Sequence, residues 1–379
     1  MDYLYQRSQR YFAQVADDIK QLAEAELGSL GAQDVIPTYR GLYFSADRSA
    51  LYRINLMSRL INRVLAPLVT FDCHSDKYLY LRAGQVLWQD FIAPDQTLAV
   101  FATVTHSTIK HSKFAALRLK DAIADQYRTR TGKRPSIDTR DPDLWLNLHI
   151  QNNKATISVD TSGGSLHRRG YRQAGVTAPM IETLAAAIIK MAEWDGWTPL
   201  YDPCCGSGTL LCEAFLAATN TPAAVLRKKF GFERLPDFEP ETWRSVRQRA
   251  FGQITELPPG LIGGCDIDRQ TVATARGNCT LIDKSGRIEI IQKDLFTIPA
   301  LEDTTIIANP PYGLRLKEDD LADFYRRLGD FLKQRCHGSR AYIYFGERQY
   351  LKHIGLRPAW KQPLANGGLD GRLARFDLY

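Results

Sequence analysis

Cysteine is scarce in this chain, seven among 379 residues, and no two are spaced C-x-x-C. The seven histidines nowhere repeat at ligand spacing with them, so a zinc site is not expected. An odd count without a secretion signal argues for reduced thiols. Cys204 and Cys205 are adjacent and cannot easily close a ring with each other. They read as two small side chains under a turn, incidental to the chemistry. Long apolar runs are missing too. Nothing approaches the ~20 residues of a membrane span, and the opening MDYLYQRSQRYFAQVADDIK is amphipathic and charged rather than a leader. A cytoplasmic protein without a membrane partner is expected. The pattern G-x-x-x-x-G-K-[ST] is also absent, which argues against ATP hydrolysis.

What is present is ordinary in bulk: 44% hydrophobic and 24% charged residues, in a length that accommodates several domains. The net charge of +7 permits an anionic partner without requiring one. Its distribution says more. Lys110, Lys113, Arg118, Lys120, Arg128, Arg130, Lys133 and Arg134 face only Asp121 and Asp125 in the same stretch. On the helix expected there, Ala116, Leu119, Ile123 and Tyr127 form one stripe, while Lys110, Lys113 and Lys120 fall on another.

Three regions follow from the periodicities. Residues 1–48 read as a small α+β opening, with Val15, Ile19, Leu22 and Leu27 at helical spacing over 10–30, then the extended VIPTYRGLYFSA. Residues 49–162 read as a second α+β unit. It begins with a helix over 50–66 and closes with alternating Leu144, Leu146, Leu148 and Ile150, a turn at Asn152 and Asn153, and alternating Ala155, Ile157 and Val159, a hairpin signal. A basic connector, SGGSLHRRGYRQAG, leads into residues 163–379. There a helix carrying Ile181, Leu184, Ile188 and Met191 precedes strands at 198–202, 261–266, 288–291, 304–309, 341–346 and the closing RLARFDLY. Apolar strands interleaved with helices imply a mainly parallel sheet covered on both faces.

The stretch DPCCGSGTL is a strand end, a glycine-rich turn and a helix start. Gly206 and Gly208 allow close approach to the backbone, and the helix N-terminus offers free N–H groups to an anionic group. Taken alone this is equally a tight turn. The next strand ends at Asp266, suited to accept from two ribose hydroxyls, with Asp268 as the helix cap. Asp294 follows the third strand and is placed to accept from an adenine amino group, or else is a loop carboxylate in water. Together these set an adenosine-bearing ligand across the carboxyl edge of the sheet.

The strand TTIIAN runs into Pro310, Pro311, Tyr312 and Gly313. Two prolines remove two donors, leaving the Asn309 side-chain oxygen and the Pro310 carbonyl as acceptors beside an aromatic ring. Such a pair suits an exocyclic amino group, whose lone pair is delocalised into its base until both N–H bonds are held.

DPCCGSG, GCDID, KDLF and NPPYG, in this order, resemble the class I S-adenosylmethionine-dependent methyltransferases that act on exocyclic amino groups of bases. KHSKFAALRLKDAIADQYR with its hairpin is similar to the THUMP RNA-binding domain. The SLHRRGYR connector, the TAPMIETLAAAI helix and the NGGLDGRL ending are similar to the bacterial 23S ribosomal RNA guanine-N2 methyltransferases. The resemblance implies an α/β fold, with ferredoxin-like and THUMP regions before a Rossmann-like, mainly parallel seven-stranded domain. It implies S-adenosylmethionine as cofactor, S-adenosylhomocysteine as product, and 23S ribosomal RNA or a large-subunit precursor as partner.

Carried over by motif, Asp202, Gly206, Ser207, Gly208, Asp266 and Asp294 would hold the cofactor, with Ala178 and Pro179 at its methionine end and Asn309 bordering it. Asn309, Pro310, Pro311 and Tyr312 would hold the guanine. Lys110, Lys113, Lys120, Arg168, Arg169 and Arg172 would meet RNA phosphates. Cys204 stands where relatives carry a larger apolar residue, a departure expected to alter packing rather than chemistry. Some relatives are fused to a second enzyme that makes 7-methylguanosine; here a single activity is expected. A tRNA guanine-N2 enzyme, a DNA adenine-N6 enzyme and a non-catalytic assembly factor remain as alternatives.

Overall fold

The computed structural model describes residues 2–172, 180–311 and 318–379. The chain forms two compact units. One is Met1–Leu166 with Arg227–Gln248; the other is His167–Leu226 with Arg249–Tyr379.

In the first unit the order is α1 (Leu4–Ser8), β1 (Arg10–Gln14), α2 (Lys20–Ser29), β2 (Gln33–Thr38), β3 (Gly41–Ser45), α3 (Arg48–Met57), β4 (Arg63–Asp72), α4 (Asp76–Ala83), β5 (Thr97–Thr105), α5 (Ser112–Thr131), β6 (Ser136–Ile137), β7 (Leu144–Gln151) and β8 (Lys154–Asp160). Its strands form one sheet in the order β2-β3-β1-β4-β8-β7-β5-β6. The β7–β8 hairpin turns at Asn152 and Asn153, with φ of 51° and 57°, as a two-residue turn with both central residues left-handed requires.

Two expectations for this unit are corrected. The helix read over 10–30 is confined to Lys20–Ser29, and RYFAQ before it is the strand β1. The helix read over 50–66 stops at Met57, and Val64 and Leu65 lie in β4. In both places apolar residues three and four apart straddle a strand and a helix that face the same core.

The segment 227–248 completes the first unit. Arg227 donates to the carbonyls of Ser162, Gly163 and Ser165. Phe232 stacks on Tyr52 of α3 at 4.4 Å between ring centroids, and Trp243 meets both rings edge-on. Gly231 has no room for a side chain, since a Cβ there would overlap the Asp160 carbonyl.

The second unit contains α6 (Glu182–Met191), β9 (Leu200–Asp202), α7 (Thr209–Ala218), the end of α8 (Pro240–Gly252), β10 (Ile262–Asp266), α9 (Arg269–Thr280), β11 (Ile288–Gln292), β12 (Thr305–Ala308), α10 (Glu318–Arg335), β13 (Arg340–Phe345), β14 (Trp360–Pro363) and β15 (Arg372–Asp377). Its seven-stranded sheet runs β11-β10-β9-β12-β13-β15-β14. The first five strands are mutually parallel; β15 runs antiparallel to β13, and β14, antiparallel to β15, returns to the direction of the first five. This is a doubly wound α/β sheet whose order reverses beside β9, so β9, β10 and β12 deliver their carboxyl ends to the switch point. β14 had no signal in the sequence, because its residues WKQP neither alternate clearly nor avoid proline.

Candidate active site

Asp202 ends β9 with only 1% of its surface exposed, and its Oδ1 accepts from the Cys204 N–H at 3.0 Å. The loop is then pinned to the neighbouring strand: the Cys205 N–H donates to the Cys265 carbonyl at 2.9 Å, and the Gly208 N–H donates back to Cys205 at 2.8 Å. Gly206 and Gly208 have φ of +52° and +78°, a region that glycine enters without steric cost. A Cβ on Gly206 would meet nothing within 4 Å, so the space over the turn is open; one on Gly208 would lie 3.2 Å from Cys279 Sγ. Ser207 is buried, with its hydroxyl 3.1 Å from the Thr209 hydroxyl and its carbonyl accepting from Asn278 Nδ2.

Asp266 closes the cradle. Its Oδ2 accepts from the Gly206 N–H at 3.2 Å and its Oδ1 from the Asp268 N–H at 3.0 Å, which fixes the carboxylate while leaving each oxygen lone-pair capacity. Asp268 caps α9 through the Thr271 N–H at 2.7 Å, the helix cap read from the sequence. Asp294 caps the turn Leu295–Thr297 through the Phe296 N–H at 3.0 Å.

Electrostatics draw the three acids together. Desolvation, Asp202, Cys265, Asp266 and Asp294 all push the Cys204 thiol well above its ordinary pKa. Burial pushes Asp202 itself up to about 8, with the Asp266 charge adding to the rise and the Cys204 N–H opposing it. A cationic ligand beside Asp202 would restore its charge, since an opposite charge at close range favours ionisation. Acids at successive strand ends, an open glycine turn and a carboxyl poised to pair with a cation fit S-adenosylmethionine, which is an adenosine with sulfonium and ammonium centres.

At the end of β12, Asn309 Oδ1 is buried and has no hydrogen-bond partner among the described residues. Pro310 is buried, and the Pro311 carbonyl accepts weakly from the Tyr325 hydroxyl at 3.4 Å. Tyr312, Ala178 and Pro179 lie outside the described residues.

Two expected RNA contacts are corrected. The Arg169 side chain is 1% exposed and lies against the fully buried Glu213, with Nε to Oε1 at 3.3 Å; the Tyr171 hydroxyl donates to the same Oε1 at 2.9 Å. Arg172 donates from Nη2 to the Met180 carbonyl at 2.7 Å and to the Thr209 hydroxyl at 2.9 Å, and pairs with Glu182. Both arginines tie the connector to α6 and α7, so their charge goes to holding the helix that follows the glycine turn. Arg168, Lys110 and Lys113 are exposed and Lys120 is half-buried.

Sequence reasoning passed over Gly264. A Cβ there would lie 2.9 Å from the Asp202 carbonyl and 2.9 Å from Leu211 Cδ1, so the missing side chain is what lets α7 sit tightly on β10. A glycine two residues before a strand-end acid, beside a glycine-rich turn, was the available signal.

The family model described as RMKL-like, methyltransferase domain, matches residues 169–375. The chain belongs to this family. A THUMP domain matches residues 74–160, and the ferredoxin-like domain of the same enzymes matches residues 10–65. A Synechocystis protein provisionally named RNA methyltransferase slr0064 is 41% identical over 371 residues, covering 97% of each chain. The ribosomal RNA large subunit methyltransferase K/L of Syntrophotalea carbinolica is 39% identical over 383 residues, covering 97% of this chain and 53% of that protein. The chain thus spans about half the length of the K/L relatives. SMU.472, provisionally named a methyltransferase and solved with S-adenosylhomocysteine, shares the fold at a TM-score of 0.85 and 24% identity over 100% of this chain and 99% of that one. A Listeria monocytogenes protein named for N6-adenine-specific DNA methylation superposes at 0.83 with 26% identity, over 100% and 99%. S-adenosylmethionine is the methyl donor of this family. Among the described residues, no helix is long and apolar enough to cross a membrane.

Proposed function

We propose that the protein methylates the exocyclic N2 of a guanine in 23S ribosomal RNA. The observation that carries this reading is the buried Oδ1 of Asn309, without a partner among the described residues, at a sheet end where two prolines supply no donors. A buried acceptor left unpaired costs about 1–3 kcal/mol, and an incoming N–H would recover it. The K/L relatives, named for the ribosomal large subunit, support RNA as substrate, as does the THUMP match.

In this reading Asn309 Oδ1 accepts one N–H of the guanine amino group and the Pro310 carbonyl the other, so the nitrogen pyramidalises and its lone pair points away from the ring. Tyr312 stacks on the base, and Pro311 holds the loop in place. Asp202, Gly206, Ser207, Gly208, Asp266 and Asp294 bind and orient the cofactor, with Ala178 and Pro179 along its methionine end. When bound, the sulfonium supplies an electrophilic methyl with its leaving group already in place. No strong base is needed; alignment of reacting atoms in well-oriented systems supplies roughly 7–11 kcal/mol. In duplex RNA the base must first swing out of the stack. We assign phosphate contacts to Lys110, Lys113, Lys120 and Arg168, on the regions 49–162 and 163–379, with 1–48 as the ferredoxin-like lead.

The deciding experiment offers labelled S-adenosylmethionine with unmodified 23S rRNA, tRNA and DNA in separate reactions, followed by nucleoside analysis. N2-methylguanosine in the rRNA alone is expected. The same nucleoside in tRNA, or N6-methyladenine in DNA, would reassign the substrate; no incorporation anywhere would count against catalysis.

A further inference from the structure

One end of the first unit's sheet carries a row of side chains that the active-site reading does not use. In the ladder of β2, β3 and β1, Ile36 stands opposite Tyr43 and Tyr43 opposite Phe12, so the three share one face. Tyr11, Leu42 and Phe44, which alternate with them, are buried on the other face. Ile36 is 50% exposed and Tyr43 44% exposed, with Phe12 half-buried beside them. The rings of Phe12 and Tyr43 lie 5.0 Å apart at 61°. Gly41 makes room: a Cβ there would overlap the Phe12 ring, which therefore lies across the β3 backbone.

Cations flank the row. The Arg10 guanidinium sits 5.8 Å from the Tyr43 ring centroid, and at the β2–β3 turn Arg40 sits 5.2 Å from the ring of Tyr39, which is 63% exposed. Both arginines are exposed, and neither side chain forms an ion pair among the described residues. The nearby Asp17 is engaged by Lys20 and by the Arg40 N–H.

Aromatic faces on adjacent strands, with arginines at the margin, match the chemistry of unpaired nucleotides: bases stack on the rings and phosphates meet the guanidinium groups. A duplex offers phosphates but hides its base faces. We infer that the exposed face of β1–β3 is a stacking platform for a single-stranded segment of the RNA substrate, with Phe12 and Tyr43 each taking a base. This rests on the RNA reading above and adds the region of the chain that grips unpaired nucleotides.

The test uses the full chain and a short fluorescein-labelled oligoribonucleotide lacking secondary structure. Tyr43→Leu and Phe12→Leu should each weaken binding about tenfold, the loss of one stacked base, whereas Tyr43→Phe should bind like the parent. Photocrosslinking of the unaltered protein to a 4-thiouridine-substituted oligoribonucleotide should label Arg10–Gln14 and Gly41–Ser45, a readout independent of any variant's folding. Unchanged affinity in both leucine variants with crosslinks elsewhere overturns the platform alone, provided the same preparation methylates 23S rRNA. A parent protein that neither binds nor methylates RNA sinks the underlying reading instead. Equal losses on a fully paired hairpin overturn the single-strand assignment, and self-association removed by Tyr43→Leu with RNA affinity intact assigns the face to a second copy.

Discussion

Asp202 places a titratable carboxyl where water cannot reach it. With its pKa near 8 in the folded chain against an ordinary value near 4, the folded state holds the proton more tightly than the unfolded one throughout that interval. The unfolding free energy therefore falls as pH rises from about 4 to about 8, by on the order of 4 kcal/mol at pH 7. Asp202→Asn removes the penalty. The variant should melt higher than the parent at pH 7, with a gap that widens up to pH 8 and closes near pH 4, measured by calorimetry without cofactor. It should also bind S-adenosylmethionine more weakly. In the parent, cofactor affinity should rise with pH below 8, by up to about tenfold per unit, because binding a cation there expels the proton. At the other acceptor, Asn309→Ala should lower the methylation rate by roughly 10²–10³ with cofactor affinity unchanged in titration calorimetry. A parallel loss of cofactor affinity would relocate the residue's role.

Elements supply the rigidity that those residues depend on. Gly264 sits under α7 with backbone and Leu211 both at 2.9 Å from where a Cβ would be. Gly264→Ala should destabilise by about 1–3 kcal/mol through overpacking, read as a lowered denaturation midpoint, and should weaken cofactor binding because α7 carries the glycine turn. This scale also shows what could be read in advance. The parallel strands stood out as short apolar runs, and three of them, β9, β10 and β12, close on Asp202, Asp266 and Asn309. The β7–β8 hairpin stood out through its paired asparagines. Strands β1 and β4 were hidden because a helix follows or precedes each with apolar residues in phase. Arg169 and Arg172 misled for a different reason: a basic connector looks the same whether its charges face phosphates or Glu213 and Glu182, and nothing local distinguishes them. The glycine turn and the strand-end acids were legible because they are contiguous motifs; their support, spread over α6, α7 and the connector, was not.

For the molecule as a whole, charge matters through its uncompensated part. Arg118 and Arg128 in the basic helix are taken up by Asp76, Asp121 and Asp125, whereas Lys110 and Lys113 stand exposed. Replacing both lysines by Gln should weaken RNA binding across sequences and reduce the magnitude of the salt dependence, the slope of log affinity on log salt, by about 1–2. An unchanged slope would move the phosphate contacts elsewhere. Methylation of free guanosine, if measurable, should be unaffected.

The aromatic group of Tyr52, Phe232 and Trp243 joins a side chain from the first sixty residues to two that follow it by 180 or more, and the first unit is finished only at Gln248. During synthesis the N-terminal sheet must therefore wait, unsealed, while about a third of the second unit's sequence leaves the ribosome. Nascent chains halted after Leu166 should remain protease-sensitive around Tyr52, and chains long enough to free Gln248 from the exit tunnel should become resistant. The order of translation thus makes the first unit wait for the opening segment of the second, His167–Leu226, so a product halted before Gln248 leaves the N-terminal sheet unfinished.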